Sequence, residues 1–331
     1  MGRYIARARR RLGRAVHGAG GATRSDILAL HVELGGLRAE LEAGAGRNDG
    51  AGTEARIDAV SARVDALDRA HDALRLELVG VQDMLAIDAF SRFIQRASLH
   101  AEPLVSVVLP TYNRPQTLGR AIASVLSQRY RNWELIVVDD GGVTDSKAAV
   151  DQARDPRIRW LGVEHGGVCA ARNAALAVAG GEIIAYQDDD NVMDGDWLHA
   201  AVWAFGQRPE IDVLYGAFVI DDLLRVGGQS SGQLPRTFLH PWSREALRHD
   251  NLADMGAIAH RSGLPEARFD ESLQQMGDWD LLIRLTADAD PLVLPAIACY
   301  YMTDAPNRLT LGPTTASDGA AVRARAAVLS R

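Results

Sequence analysis

The sequence predicts an α/β domain preceded by an α-helical region, on three observations. Before about residue 100, apolar positions recur at helical spacing with almost no strand signal. After it, short β-branched runs alternate with helical segments, the pattern of a sheet wrapped by helices. The polar residues of this second part gather at the C-terminal ends of its apolar runs, the edge where open α/β sheets bind ligands.

The opening segment, residues 2–16, carries Arg3, Arg7, Arg9, Arg10, Arg11 and Arg14 without an acidic residue. Interleaved Ile5, Leu12 and Val16 allow a short basic helix that docks on anionic lipid headgroups; a solvated basic tail is the other reading. Two stretches follow with apolar residues alternately three and four apart. Ile27, Leu30, Leu34, Leu37 and Leu41 form the first. Ile57, Val60, Val64, Leu67, Leu74, Leu78, Val81 and Leu85 form the second, interrupted by His71. This is the seam of a coiled coil about four heptads long. Pairing between chains, making a homo-oligomer, is favoured over a hairpin or a helix packed on the rest of the chain. Glycine-rich residues 44–52 separate the stretches.

The α/β part opens with an apolar run at 105–109 that ends in Pro110-Thr111-Tyr112-Asn113-Arg114, a buried strand with a break after it. A helix is expected over 117–128. A second strand, 134–138, ends in Asp139-Asp140-Gly141-Gly142, and a third is expected at 158–163. Gly166-Gly167-Val168 then leads into a helix over 169–179. A fourth strand, 183–186, ends in Gln187 and the triplet Asp188-Asp189-Asp190. Taken singly, Asp-Asp-Gly is a turn and an acidic triplet is a solvated loop. Together they bring several carboxylates to one sheet edge, where they repel unless a cation compensates.

Composition bounds the alternatives. The net charge of −7 argues against a nucleic-acid partner. Cys169 and Cys299 stand in no metal-ligand or disulfide spacing, which fits a reducing cytoplasm. No apolar run approaches the roughly 20 residues that span a bilayer, so membrane contact would be peripheral, at the inner face.

These motifs, in this order, resemble the family 2 glycosyltransferases, inverting enzymes with the Rossmann-like GT-A fold of nucleotide-diphospho-sugar transferases. The resemblance rests on residues 107–114, 137–141, 166–173 and 186–191, and runs from about residue 104 to about residue 285. It implies that Pro110, Thr111 and Tyr112 lie against the nucleoside of a nucleotide-sugar donor, uridine being the family habit. Asp139 would accept a hydrogen bond from the base, and Arg172 would reach the diphosphate or Asp139. Asp190 is the implied ligand of a divalent metal, Mg²⁺ or Mn²⁺, with Asp188 completing the D-x-D spacing. Asp189 would face sugar or ribose hydroxyls, although the order of Asp188 and Asp189 stays open.

In the acceptor half, Asp278-Trp279-Asp280-Leu281 resembles the family's second acidic motif, with Gly277 where the family carries Glu. Asp278 is the implied general base; Asp280 reads as a helix N-terminal charge. Trp279 would pack on a sugar face or in the core. His249 and His260 read as structural, Gly227 to Gly232 as a loop near the acceptor cleft. Asp304, Asn307 and Arg308 lie where the family often adds a closing loop.

The expected organisation is a basic and coiled-coil region over 1–100, the GT-A domain over 101–313 and a helical tail over 314–331. The expected activity is inverting sugar transfer to a saccharide or glycolipid hydroxyl, in cell-surface polysaccharide or glycolipid synthesis. A degenerate sugar-nucleotide-binding scaffold and a nucleotidyltransferase are the rivals. The second is disfavoured because no Gly-rich loop with a Lys follows the first strand.

Overall fold

A computed structural model describes residues 79–220, 236–302 and 315–329, with Val32, Ala62, Asp65 and Arg69. The basic segment, the first seam and all but the end of the second lie outside the described residues. So do the glycine stretches 44–52 and 227–232 and Asp304, Asn307 and Arg308. No helix among the described residues is long and apolar enough to cross a membrane.

The chain divides into two compact units, Met1–Asp88 and Ala89–Arg331. In the first, residues 79–88 are helical, with Val79 and Leu85 exposed and Ile87 buried. In the second, helical residues 89–94, α1, set Phe90 and Phe93 edge-on to Trp203, with ring centroids 5.7 and 5.1 Å away.

Among the described residues, nine strands make one sheet in the order β3-β2-β1-β4-β8-β6-β9-β5, with β7 paired to β6. The four expected strands form its parallel half: β1 (Val105–Thr111), β2 (Trp133–Asp139), β3 (Ile158–Gly162) and β4 (Ile183–Tyr186). In β1, Val105, Val107 and Leu109 enter one core and Val108 the other, the period of two that a strand covered on both faces requires. Helices α2 (Pro115–Leu126), α3 (Ser146–Ala153) and α4 (Val168–Leu176) connect these strands.

The other strands are β5 (Val192–Met193), β6 (Val213–Ile220), β7 (Arg236–Phe238), β8 (Ile258–Arg261) and β9 (Leu292–Tyr301). Antiparallel β8 joins the two halves by pairing with β4 and β6. Between β5 and β6 lies α5 (Trp197–Gln207), whose Trp197 is buried against Gly216; a Cβ there would meet the indole at 2.7 Å. A short helix α6 (Arg244–Leu247), α7 (Gly277–Leu285) and α8 (Thr315–Leu329) complete the described elements. Mixed pairing curls the sheet so that the ends of β1, β2 and β4 face one opening. This is a GT-A fold.

His260 sits inside the sheet, fully buried. Its Nδ1–H donates to the Arg261 carbonyl at 2.7 Å, so Nε2 accepts from the Tyr186 hydroxyl, also at 2.7 Å. Burial pushes its pKa down to about 4, keeping the ring neutral. The exposed His249 pairs with Glu245, at 3.2 Å.

Candidate active site

The first side of the opening is built on the loops after β1 and β2. Asn113 turns with φ 54°, and its Oδ1 accepts from the Val143 N–H at 2.8 Å, tying the two loops together. Asp139 accepts from the Gly142 N–H at 2.8 Å and from the Ser146 hydroxyl. Carboxylate oxygens have two lone pairs each, so Asp139 keeps acceptor capacity for a base. Asp140 faces the other way and receives Gly166 N–H at 2.8 Å, Gly167 N–H at 3.0 Å and His165 Nδ1–H at 2.9 Å. The carboxylate thus sits at the N-terminus of α4, where the helix dipole favours it. Gly141, at φ 73°, is required here: a Cβ would stand 2.7 Å from the His165 nitrogen.

Tyr112 is 44% exposed and lies flat on His165, with centroids 4.3 Å apart and planes at 17°. His165 escaped the sequence analysis. It precedes the Gly166-Gly167 pair, and only its place beside Tyr112 and Asp140 marks it.

The acidic triplet lies where β4 gives way to β5, and each of its carboxylates meets an arginine. Asp188 Oδ1 accepts from Arg172 at 2.8 Å. Asp189 accepts from the Thr111 hydroxyl at 2.8 Å and from Arg114 at 3.0 Å. The same Arg114 nitrogen reaches Asp190 Oδ2 at 2.9 Å, and Arg120 donates to the Asp190 carbonyl at 2.8 Å. Burial pushes the Asp189 carboxyl up against the pull of Arg114. For Arg114 itself burial works the opposite way from its partners, and Asp189 and Asp190 outweigh it, so its pKa rises. The short contacts mark a charged cluster. Arg172 is buried, pairs with Asp188 and not with Asp139, and passes 5.3 Å from the Phe269 ring. Thr111 spends its hydroxyl on Asp189, and Pro110 is buried within β1 opposite Val138.

By donor type, the triplet fits a hard divalent ion. Among the described residues no three acidic, His or Cys side chains converge on a ready-made site. An ion bridged by a diphosphate needs only one or two carboxylates from the protein, which Asp190 and Asp188 can supply.

The second side is an open pocket lined by Phe218, Ile220, Asn251, Asp254, Asp278 and Tyr301. Asp278 is the second residue of α7, whose N-cap Met276 takes φ 57°. Its Oδ1 accepts from the Trp279 N–H at 2.9 Å and its Oδ2 from the Asn251 amide at 2.8 Å. Burial pushes its carboxyl up. Gly277 has a steric reason: a Cβ there would lie 2.9 Å from Cys169 Sγ and 3.6 Å from Arg172. Trp279 belongs to the core, its indole N–H donating to the Leu247 carbonyl at 2.6 Å. Asp280 is buried and pairs with Arg284 at 2.9 Å and with Arg325 of α8, which turns it away from the cavity chemistry.

Asn251 and Asp254 also escaped the sequence analysis. Asp254 Oδ1 accepts from the Gly256 N–H at 3.0 Å and from the Cys299 thiol at 3.4 Å. Burial first, then Asp188 and Asp278, push its carboxyl well above the usual range. In sequence it resembles any residue that caps a short turn.

Residues 106–270 match the family described as glycosyl transferase family 2. The Escherichia coli protein named for colanic acid biosynthesis, glycosyl transferase WcaA, is 31% identical over 191 residues, 56% of this chain and 67% of that one. The chain belongs to glycosyl transferase family 2. A second E. coli relative in the family is named UDP-Glc:alpha-D-GlcNAc-diphosphoundecaprenol beta-1,3-glucosyltransferase WfgD. It is 36% identical over 118 residues, 35% of this chain and 46% of its own length. The chain therefore spans less than half of that enzyme. Among solved structures, residues 1–349 of Staphylococcus aureus TarS with UDP-GlcNAc superpose with a TM-score of 0.55 at 20% identity. That match covers 68% of this chain and 66% of TarS 1–349, and it carries the GT-A fold.

Proposed function

We propose that this glycosyltransferase moves a sugar from a nucleoside diphosphate, a UDP-sugar in preference, to a saccharide or glycolipid hydroxyl with inversion at the anomeric carbon. The product would enter a cell-surface polysaccharide or glycolipid. One observation carries the reading: Tyr112, Asp139 and the acidic triplet gather at the ends of β1, β2 and β4, and the pocket carboxylates Asp278 and Asp254 lie close enough to feel the charge of Asp188. The names of the relatives agree with it: one is named for colanic acid biosynthesis, the other for beta-1,3 glucosyl transfer from UDP-Glc to alpha-D-GlcNAc-diphosphoundecaprenol.

In this reading Tyr112 stacks on the base and Asp139 accepts its imide N–H. Arg172 and the Asp188–Asp190 end of β4 face the diphosphate. A divalent ion at Asp190 and Asp188 would neutralise the charge on the departing diphosphate. Asp278 takes the acceptor proton as the acceptor oxygen bonds to the anomeric carbon and the bond to phosphate breaks. A carboxyl raised by burial is a better base than an ordinary Asp at about 3.9. Asn251 holds one of its oxygens, fixing its direction. The domain division at about residue 100, pairing through the seam and peripheral membrane contact belong to the same proposal.

A thermal-shift panel of UDP-, dTDP- and GDP-sugars with and without Mn²⁺ tests it. A ligand at 100 times its Kd stabilises by about 2.7 kcal/mol. Stabilisation by a UDP-sugar with Mn²⁺ is expected; no response to any member of the panel would overturn the reading.

A further inference from the structure

We propose that Arg114 is a built-in counter-cation that competes with the divalent ion for Asp190. The inference rests on the metal reading above and adds a regulator to it. One guanidinium nitrogen of Arg114 bridges two carboxylates, at 3.0 Å from Asp189 and 2.9 Å from Asp190, and all three side chains are largely buried. Asp189 is fixed from its other oxygen by Thr111, so it anchors Arg114 in place. The implied metal ligand is therefore already serving a positive charge.

A divalent ion at Asp190 would sit beside the Arg114 charge already held on Oδ2, and the repulsion between the two cations favours the ion only once Arg114 withdraws. Arg114 is placed to do so. It stands at the start of α2, on the loop that also carries Tyr112, so a diphosphate bound there lies within its reach. A guanidinium matches phosphate as well as carboxylate. Nucleotide binding then draws Arg114 off Asp190, and the ion binds more tightly. By linkage the ion raises nucleotide affinity by the same factor. Arg114 makes metal and donor arrive together and keeps the triplet from collecting free cations.

The test is the affinity of the full chain for Mn²⁺ alone, read by calorimetry or by the free-ion electron paramagnetic resonance signal, with and without UDP. A charge-assisted hydrogen bond contributes about 1.5–3 kcal/mol, roughly a ten- to hundredfold handicap on the ion. Arg114→Ala and Arg114→Gln should bind Mn²⁺ at least tenfold more tightly than wild type without UDP, and the factor by which UDP tightens it should shrink, leaving only what the diphosphate oxygens themselves supply. Folding of both is checked by circular dichroism, and Gln serves if Ala does not fold. Unchanged or weaker Mn²⁺ affinity in a folded variant overturns the proposal while leaving the metal reading standing. Wild type that binds no Mn²⁺ even with UDP removes the metal reading and the proposal together.

Discussion

The two sides of the opening solve the same electrostatic problem differently. On the donor side every carboxylate of the triplet meets a cation or a hydroxyl: Asp188 has Arg172, Asp189 has Arg114 and Thr111, and Asp190 has Arg114. On the acceptor side Asp254 and Asp278 receive backbone N–H groups, the Asn251 amide and a thiol, but no arginine hydrogen bond among the described residues. The first arrangement surrounds the carboxylates with guanidinium charge and shapes them for a cationic or phosphorylated ligand, even though burial raises Asp189. The second leaves them desolvated, with raised affinity for protons. In the proposed function, this difference suits one side to an ion and a diphosphate and the other to proton transfer.

The comparison breaks first at Asp278. Asp278→Asn should lower turnover by about 10²–10⁴-fold while leaving donor affinity unchanged, measured as release of nucleoside diphosphate and by donor titration. Undiminished turnover would move the base elsewhere, with Asp254 the next candidate.

Gly277→Ala should destabilise by about 1–3 kcal/mol, because its Cβ meets Cys169 Sγ at 2.9 Å within a packed core. Denaturant unfolding reads this directly. A neutral result would mean that Cys169 moves aside freely and that the family's Glu was lost for some other reason.

Asp254→Asn sharpens the contrast through pH. Folding raises the Asp254 carboxyl, so its ionisation costs stability above the unfolded pKa of about 3.9, and the cost grows as pH climbs to the raised folded value. Removing the charge should therefore raise Tm by a few degrees at pH 8 and by less at pH 5. An equal shift at both pH values would show that desolvation is not the cause. The smallest effect is expected at Asp318 of α8, which accepts the N–H groups of Gln274 and Gln275 at 2.9 and 2.7 Å, just before the base. Asp318→Ala should cost about 1 kcal/mol in the same unfolding measurement.

The donor side was largely legible in the sequence because its information is local. Each motif is a strand end and the loop after it, so Thr111, Tyr112, Asp139 and the triplet could be read from neighbouring residues. Pairings between loops were not legible. Arg114 lay within a recognised motif, yet nothing local says that it reaches 75 residues ahead to Asp189. The acceptor side is built from such distances. Asp254 depends on Cys299, 45 positions away, and Asn251 on Asp278, 27 away. The strands of that half also lacked clean signals. β9 carries Pro295, and β5 is only two residues long, held by its pairing to β9.

In the proposed function, the end of β4 binds a nucleoside diphosphate through a divalent ion. Calorimetric titration of UDP into wild type and Asp190→Ala, each with Mn²⁺ and with chelator, tests it most directly. Wild type should bind UDP more tightly with Mn²⁺, and the variant should show no metal-dependent gain. An equal Mn²⁺-dependent gain in Asp190→Ala would contradict the claim.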